Sequence, residues 1–186
     1  MGRLIFSAIG SLDGYMTDPE GKFDWAVPDE EVLADVNAEA RTIGTYLYGR
    51  RMYEMMTGWE TDPSVAAQSP ESAEFAAIWR AAEKIVYSST LATVSTRRTQ
   101  LEREFDAAKV EEIKRSNDAD LYVDGPTLAK HAVRLGVVDR LHLILCPIIV
   151  GGGLAILPTD ARLSLRLDSE SRYSNGMINL QYDILH

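Results

Sequence analysis

Short apolar runs, each closed by glycine, serine or an Asp-Gly turn, alternate along this chain with stretches whose apolar residues recur every three or four positions. Residues 4–9 form the first run and predict a strand that gives way to a loop at Gly10-Ser11-Leu12-Asp13-Gly14. Asp18-Pro19-Glu20-Gly21 is a strong turn signal. Pro28-Asp29-Glu30-Glu31 then places proline and three carboxylates at a helix start, and Val32, Leu33, Val36 and Ala40 continue it at helical spacing. A second strand is predicted over 42–48, closing at Gly49-Arg50-Arg51. Residues 58–70 are polar and turn-rich and predict a surface loop, with a helix over 72–82.

Further on, 84–87 reads as a short strand ending at Ser88-Ser89-Thr90, and 101–114 as a mixed segment containing a helix. Residues 121–123 form another strand, closed by Asp124-Gly125-Pro126, and a helix over 127–135 ends at Gly136. The run 141–150 predicts the longest strand, followed by Gly151-Gly152-Gly153. Segments 162–167, 170–173 and 177–185 predict three terminal strands, the last two joined by a hairpin at Ser174-Asn175-Gly176. Strands alternating with helices, then antiparallel strands, predict an α/β fold. It should be a mainly parallel sheet covered on both faces, with an antiparallel C-terminal edge.

Composition narrows the class without changing that picture. At 186 residues, with 46% hydrophobic and 25% charged positions, the chain fits one globular domain over 1–186. No apolar run approaches the ~20 residues of a membrane span. The start at Met1-Gly2-Arg3 is a poor signal peptide, and a cytoplasmic location is expected. A net charge of −9 argues against a nucleic-acid partner. Cys146 is the single cysteine and lies within an apolar run, which predicts a core residue. His131, His142 and His186 have no metal-ligand spacing.

Three strand ends share one design. Tyr48 leads into Gly49-Arg50, Tyr87 into Ser88-Ser89, and Val123 into Asp124-Gly125-Pro126-Thr127. In an open parallel sheet such ends lie on one edge, and ligands bind in the crevice there. Small residues let backbone N–H groups approach phosphate oxygens, and helix N-termini add their positive ends. Arg50 or Arg51 offers a permanently charged fork, with Arg97 and Arg98 a little beyond the Ser88 turn. No G-x-G-x-x-G or Walker sequence is present.

The ordered set resembles the dihydrofolate-reductase superfamily and, within it, the reductase domain of the riboflavin-biosynthesis deaminase/reductase and its stand-alone relatives. The matching pieces are Ser11-Leu12-Asp13-Gly14, Tyr48-Gly49-Arg50, Val86-Tyr87-Ser88-Ser89, Asp124-Gly125-Pro126-Thr127-Leu128, Gly136-Val137-Val138-Asp139 and Pro147 followed by Gly151-Gly152-Gly153. The resemblance implies a three-layer α/β/α sandwich, a homodimer, and NADPH across the strand ends beside a flat pyrimidine- or pterin-like substrate. By position, it places Gly49 and Arg50 at the phosphates and Ser88 and Ser89 at the 2′-phosphate. Gly125, Pro126, Thr127 and Leu128 fall at the pyrophosphate, and Asp13, Met16 and Thr17 beside the nicotinamide. Asp29 or Glu30 falls near the substrate-orienting acid.

Two positions depart from the family pattern. Ser7 stands where the riboflavin reductases usually carry lysine, and Asp124 where relatives favour the first glycine of a Gly-Gly pair. A cis bond kept there would cost about 3–4 kcal/mol with a side chain present. Asp124 would also repel a pyrophosphate, or else stand in for an acid that some relatives carry before the glycines. Tyr15 and Trp25 are candidates to stack on a planar substrate or to anchor a loop. A non-catalytic dimeric binding protein and a flavin- or deazaflavin-dependent reductase stay open as alternatives.

Overall fold

A strand covered on both faces sends alternate side chains into two different cores, and β1 (Leu4–Ser11) does so in the computed structural model, which describes residues 1–185. Leu4, Phe6 and Ala8 enter one core and Ile5 the other. After β1 come β2 (Tyr15–Thr17), α1 (Glu30–Ala40), β3 (Ile43–Gly49), α2 (Arg50–Met56), α3 (Gly58–Thr61), α4 (Pro63–Ala66) and α5 (Pro70–Ala81). The chain continues with β4 (Glu83–Tyr87), β5 (Thr99–Glu102), α6 (Ala107–Ser116), β6 (Asp120–Asp124), α7 (Pro126–Arg134) and β7 (Arg140–Cys146). It closes with β8 (Leu154–Ala155), β9 (Ser164–Arg172) and β10 (Ile178–Leu185).

Eight strands make one sheet in the order β5-β4-β3-β6-β1-β7-β10-β9. Pairing is parallel from β5 through to β7, whereas β10 runs antiparallel to both β7 and β9. Helices α6 and α7 pack on one face through Val110, Leu128, Ala129 and Ala132. The other face carries α1, α2 and α5 through Ala40, Tyr53, Met56, Phe75 and Trp79. This is the α/β fold expected, with a mainly parallel sheet and an antiparallel C-terminal edge. Cys146 is buried and free.

Several local expectations are corrected. Residues 58–66 form two short helices rather than a loop, because the polar residues act as caps: the Asp62 carboxylate accepts the Ser64 amide at 2.9 Å and Pro63 opens α4. The strand predicted over 141–150 stops at Cys146, since Pro147 has no N–H to extend the ladder. Segments 162–167 and 170–173 are one strand, β9, in which a bulge leaves Asp168 without a partner between Leu167 and Ser169. All residues of β9 are exposed, so it lacks the apolar alternation that marks a strand. The short strands β2 and β8 fall outside the predicted elements, and β5 takes up the start of the mixed segment predicted over 101–114. All peptide bonds among the described residues are trans, Asp124–Gly125 included, so the strain anticipated there does not arise.

The glycine corner after β7 fixes the loop that follows β1. Asp13 accepts the amides of Val150 at 3.2 Å and Gly151 at 2.8 Å, while β2 pairs with β8. Gly153 has φ +117°, and a Cβ on it would lie 2.0 Å from the Thr17 carbonyl oxygen. Gly151 also has positive φ, +75°, yet faces open space. Alanine at Gly151 is therefore expected to cost about 1 kcal/mol from backbone conformation alone, and alanine at Gly153 clearly more, because the β2–β8 pair must also move apart. Urea unfolding of the two variants measures the difference; equal losses would contradict the close approach.

Candidate active site

Register brings the predicted strand ends together. Gly49 pairs with Tyr87 across β3 and β4, and Tyr48 with Asp124 across β3 and β6, so the turns beginning at Gly49, Ser88 and Gly125 open side by side on one rim. Gly49 is the N-cap of α2 and Gly125 that of α7. A Cβ on Gly125, which has φ +87°, would lie 3.0 Å from Met52 Cβ; one on Gly49 would lie 3.8 Å from Leu128 Cβ. The first turns of α2 and α7 are thus in contact, with glycine at both starts.

Helix caps separate these two ends from every other helix except α3, which follows α2 directly and also has no side-chain cap. The starts of α1, α4, α5 and α6 are closed by the side chains of Asp29, Asp62, Ser69 and Asp106. Neither α2 nor α7 has a side-chain cap, so the amides of their first turns keep their hydrogen-bonding capacity. Pro126 supplies none, which leaves Thr127 and Leu128 as the donors of α7. Two positive helix ends side by side suit an anion. Arg50 adds a guanidinium: its Nε donates to Glu54 at 2.8 Å and its Nη1 to Thr90 Oγ1 at 3.1 Å, spanning from α2 to the turn after β4. Arg51 is exposed on the same first turn.

The other predicted residues divide between the rim and scaffolding. Ser88 is buried, and its Oγ accepts the amides of Thr90 and Leu91, so it shapes the turn rather than presenting a free hydroxyl. Arg103 braces the same turn by donating to the carbonyls of Ser88 and Leu91. Ser89 is exposed on the turn. Arg97 and Arg98 precede β5 and lie at the opposite edge of the sheet, where Arg98 pairs with Glu83 at 2.6 Å. They are removed from the charge set of the rim.

Asp13, Asp29 and Glu30, expected at the chemistry, do not line the cavity that adjoins the rim. Asp13 is engaged by the glycine corner; hydrogen bonding, from Ser11 foremost and then Gly151 and Val150, holds its pKa below the usual carboxylate range. Both Asp29 oxygens are used, one accepting the Val32 amide at 3.0 Å and the other Asn175 Nδ2 at 2.7 Å. Glu31 likewise accepts the Ser174 amide. The acidic start of α1 is a clasp on the terminal hairpin, and Glu30 is exposed beside it. Thr17 lies in β2, accepting weakly from Leu154 N at 3.4 Å. Trp25 packs its ring against the core near Val32 and Ile144 and anchors its loop.

The cavity holds about 240 Å³ and lies on the sheet face covered by α1, α2 and α5. Of the predicted residues only Met16 reaches it. Its polar floor is made by Ser7, Tyr46, Tyr122 and Asp124. Asp124 follows Val123, which enters the core under α7, so alternation turns its carboxyl to the opposite face, into the cavity and away from the helix ends. Burial pushes its pKa up to about 8, so at neutral pH it is mainly a neutral acid. The anticipated repulsion of a pyrophosphate is therefore replaced by a proton-bearing group facing the cavity. The Tyr46 hydroxyl is buried without a partner in the same wall. Behind Tyr122, His142 Nδ1 lies 2.5 Å from Glu39 Oε2 and 3.4 Å from the Tyr122 hydroxyl, a buried cluster of a kind that strand periodicity does not reveal. The sequence signal for Asp124 is its place directly after a predicted strand, where the family pattern favours glycine.

Known proteins share this fold. The described fold resembles that of a riboflavin biosynthesis protein from Shewanella sp. PV-4 with a TM-score of 0.77, at 20% identity over 99% of both chains. A pyrimidine reductase-like protein from Corynebacterium diphtheriae matches with a TM-score of 0.62, at 17% identity over 100% of this chain and 92% of its own. The Thermotoga maritima diaminohydroxyphosphoribosylaminopyrimidine deaminase/5-amino-6-(5-phosphoribosylamino)uracil reductase matches at 0.65, with 13% identity over 99% of this chain but 57% of its own. In sequence, the protein YyaP of Bacillus subtilis is 22% identical over 97% of this chain and 94% of its own length. The profile of the RibD C-terminal domain matches residues 3–179, and the chain belongs to that family.

Proposed function

We propose that this protein is an NADPH-dependent reductase that delivers hydride to a C=N or C=O group of a flat heterocyclic substrate. The observation that carries this reading is the contact between two glycine-capped helix starts on one rim, beside a cavity whose floor holds a protonated acid. The family includes reductases, as the name of the Thermotoga protein records.

The residues present fit the cofactor. The amides after Gly49 and Gly125 would receive the pyrophosphate, where a Cβ on Gly125 would crowd Met52. Arg50, held against Thr90, would meet the 2′-phosphate near Ser89. The hydride chemistry is the nicotinamide's, and the chain supplies orientation and electrostatics. Asp124 holds the proton that a reduced nitrogen or oxygen must gain, and Tyr46 offers a second donor to orient that atom. The apolar walls keep water from competing for it. Homodimerisation belongs to the same proposal: β9 is an exposed edge that presents Leu165 and Leu167.

Arg50→Ala is expected to weaken NADPH binding about tenfold or more while leaving NADH within a few-fold, the loss of one charge-assisted pair at a phosphate. Calorimetric titration with both cofactors measures this, and equal losses would remove Arg50 from the 2′-phosphate. Asp124 sets a pH dependence. Its folded pKa lies above the unfolded value of about 4, so the stability linked to its proton is fully present at acid pH. That stability is lost as pH rises towards about 8, with a slope of up to about 1.4 kcal/mol per pH unit. Turnover is expected to fall with the same deprotonation. Asp124→Asn should abolish that part of the stability slope and reduce the rate of hydride transfer by about 10²-fold or more. An unchanged pH profile in the variant would exclude Asp124 as the proton donor.

A further inference from the structure

The cavity beside the rim has walls of one kind. Its lining is mainly apolar and includes Phe23, Val36, Met52, Met55, Met56 and Phe75. Among the described residues lining it none is lysine, arginine or histidine. Its polar groups are two phenols, one serine hydroxyl and the Asp124 carboxyl, all gathered on the sheet side. Each can donate a hydrogen bond while neutral, and the Tyr46 hydroxyl has no partner within the protein. Two of the aromatic and thioether groups, Phe23 and Met55, are about half exposed and form the mouth. A phosphate or sulfonate placed in this space would lose its hydration and find no cation, a cost of several kcal/mol per charge in real proteins. The net charge of −9 adds to that cost at longer range.

We infer that the cavity takes an uncharged, largely apolar, flat molecule whose carbonyl or ring nitrogen reaches Tyr46 and Asp124, and that it rejects acceptors bearing a phosphate or sulfonate. The inference rests on the reductase reading for the reaction and on the cavity alone for the choice of molecule. The four methionines, Met16, Met52, Met55 and Met56, add flexible walls that adjust to ring substituents, so selection is by charge and polarity more than by outline. If the bound carbonyl is reduced, hydride from NADPH forms the new C–H bond, the proton on Asp124 passes to the oxygen, and NADP⁺ and an alcohol result. Asp124 regains its proton from solvent.

Isatin and isatin-5-sulfonate test this, because both are flat heterocycles with the same reducible ketone and differ in one anionic group. Calorimetric titration of the full chain, with and without NADPH, is expected to give isatin at least about tenfold tighter binding than the sulfonate. Met55→Lys, which adds a cation at the exposed mouth, is expected to narrow that preference several-fold. Equal affinity for the two, preference for the sulfonate, or no binding of isatin overturns the inference. NADPH titrated by itself separates the two readings. If it fails to bind while the preference for isatin persists, the cofactor assignment falls and the cavity's selectivity stands. If NADPH binds and the sulfonate is preferred, the reverse holds.

Discussion

The in-register parallel pairing of β3 with β4 on one side and β6 on the other is the constraint on which the rest of the molecule depends. Parallel strands of matched register end at the same level, so the three chain segments leaving them must turn at one edge. Two of those segments enter helices immediately, with glycine at the start of each, and the adjacent strand spacing presses the first turns of α2 and α7 together. Any side chain at Gly125 would have to displace Met52, so the start of α7 meets the rim through its backbone, while Arg50 on α2 supplies the charged side chain. A register slip of one residue in β6 would separate these helix starts and also turn Asp124 out of the cavity.

The same alternation divides the chemistry between two compartments. Residues of one parity in β3 and β6, Leu47 and Val123, enter the core beneath α6 and α7. Those of the other parity, Tyr46, Tyr122 and Asp124, form a polar strip under an otherwise apolar cavity. Low local polarity raises the Asp124 pKa by desolvation and keeps its proton available near neutrality. The polar rim, with Arg50 and two helix dipoles, favours charge, whereas the adjoining cavity disfavours it. On the proposed reading, that boundary separates a polyanionic cofactor from an uncharged acceptor.

Much of the fold was legible because burial on both faces leaves continuous apolar runs, as in 4–9 and 141–146, and because glycine and proline mark where such runs stop. The exposed strand β9 and the helices within 58–66 were not, since neither buries enough apolar surface to imprint a period. The positions of Gly49, Arg50, Gly125, Thr127 and Leu128 on one rim followed from strand order. The acids did not. Asp29 reads as a candidate until Asn175, far away in sequence, is seen to occupy its second oxygen. Asp13 is likewise taken by amides that come from the other end of the chain. Asp124 was visible as a departure from the glycine pattern, but its orientation depends on strand parity and its protonation on burial. Lys84, wholly buried within β4, illustrates the same limit: its ammonium donates to the carbonyls of Trp79 and Ala82 at the end of α5, a tertiary cap with no local signature.

The claim that the two glycine-capped helix starts form one anion-receiving groove is tested most directly by backbone amide chemical shifts recorded as NADPH is added to the isotopically labelled protein. The account predicts the largest changes at Arg50, Arg51, Thr127 and Leu128, together with the turn at Ser88 to Leu91. Changes concentrated instead at the side-chain-capped starts of α1, α5 and α6, or an absence of changes at saturating cofactor, would contradict it.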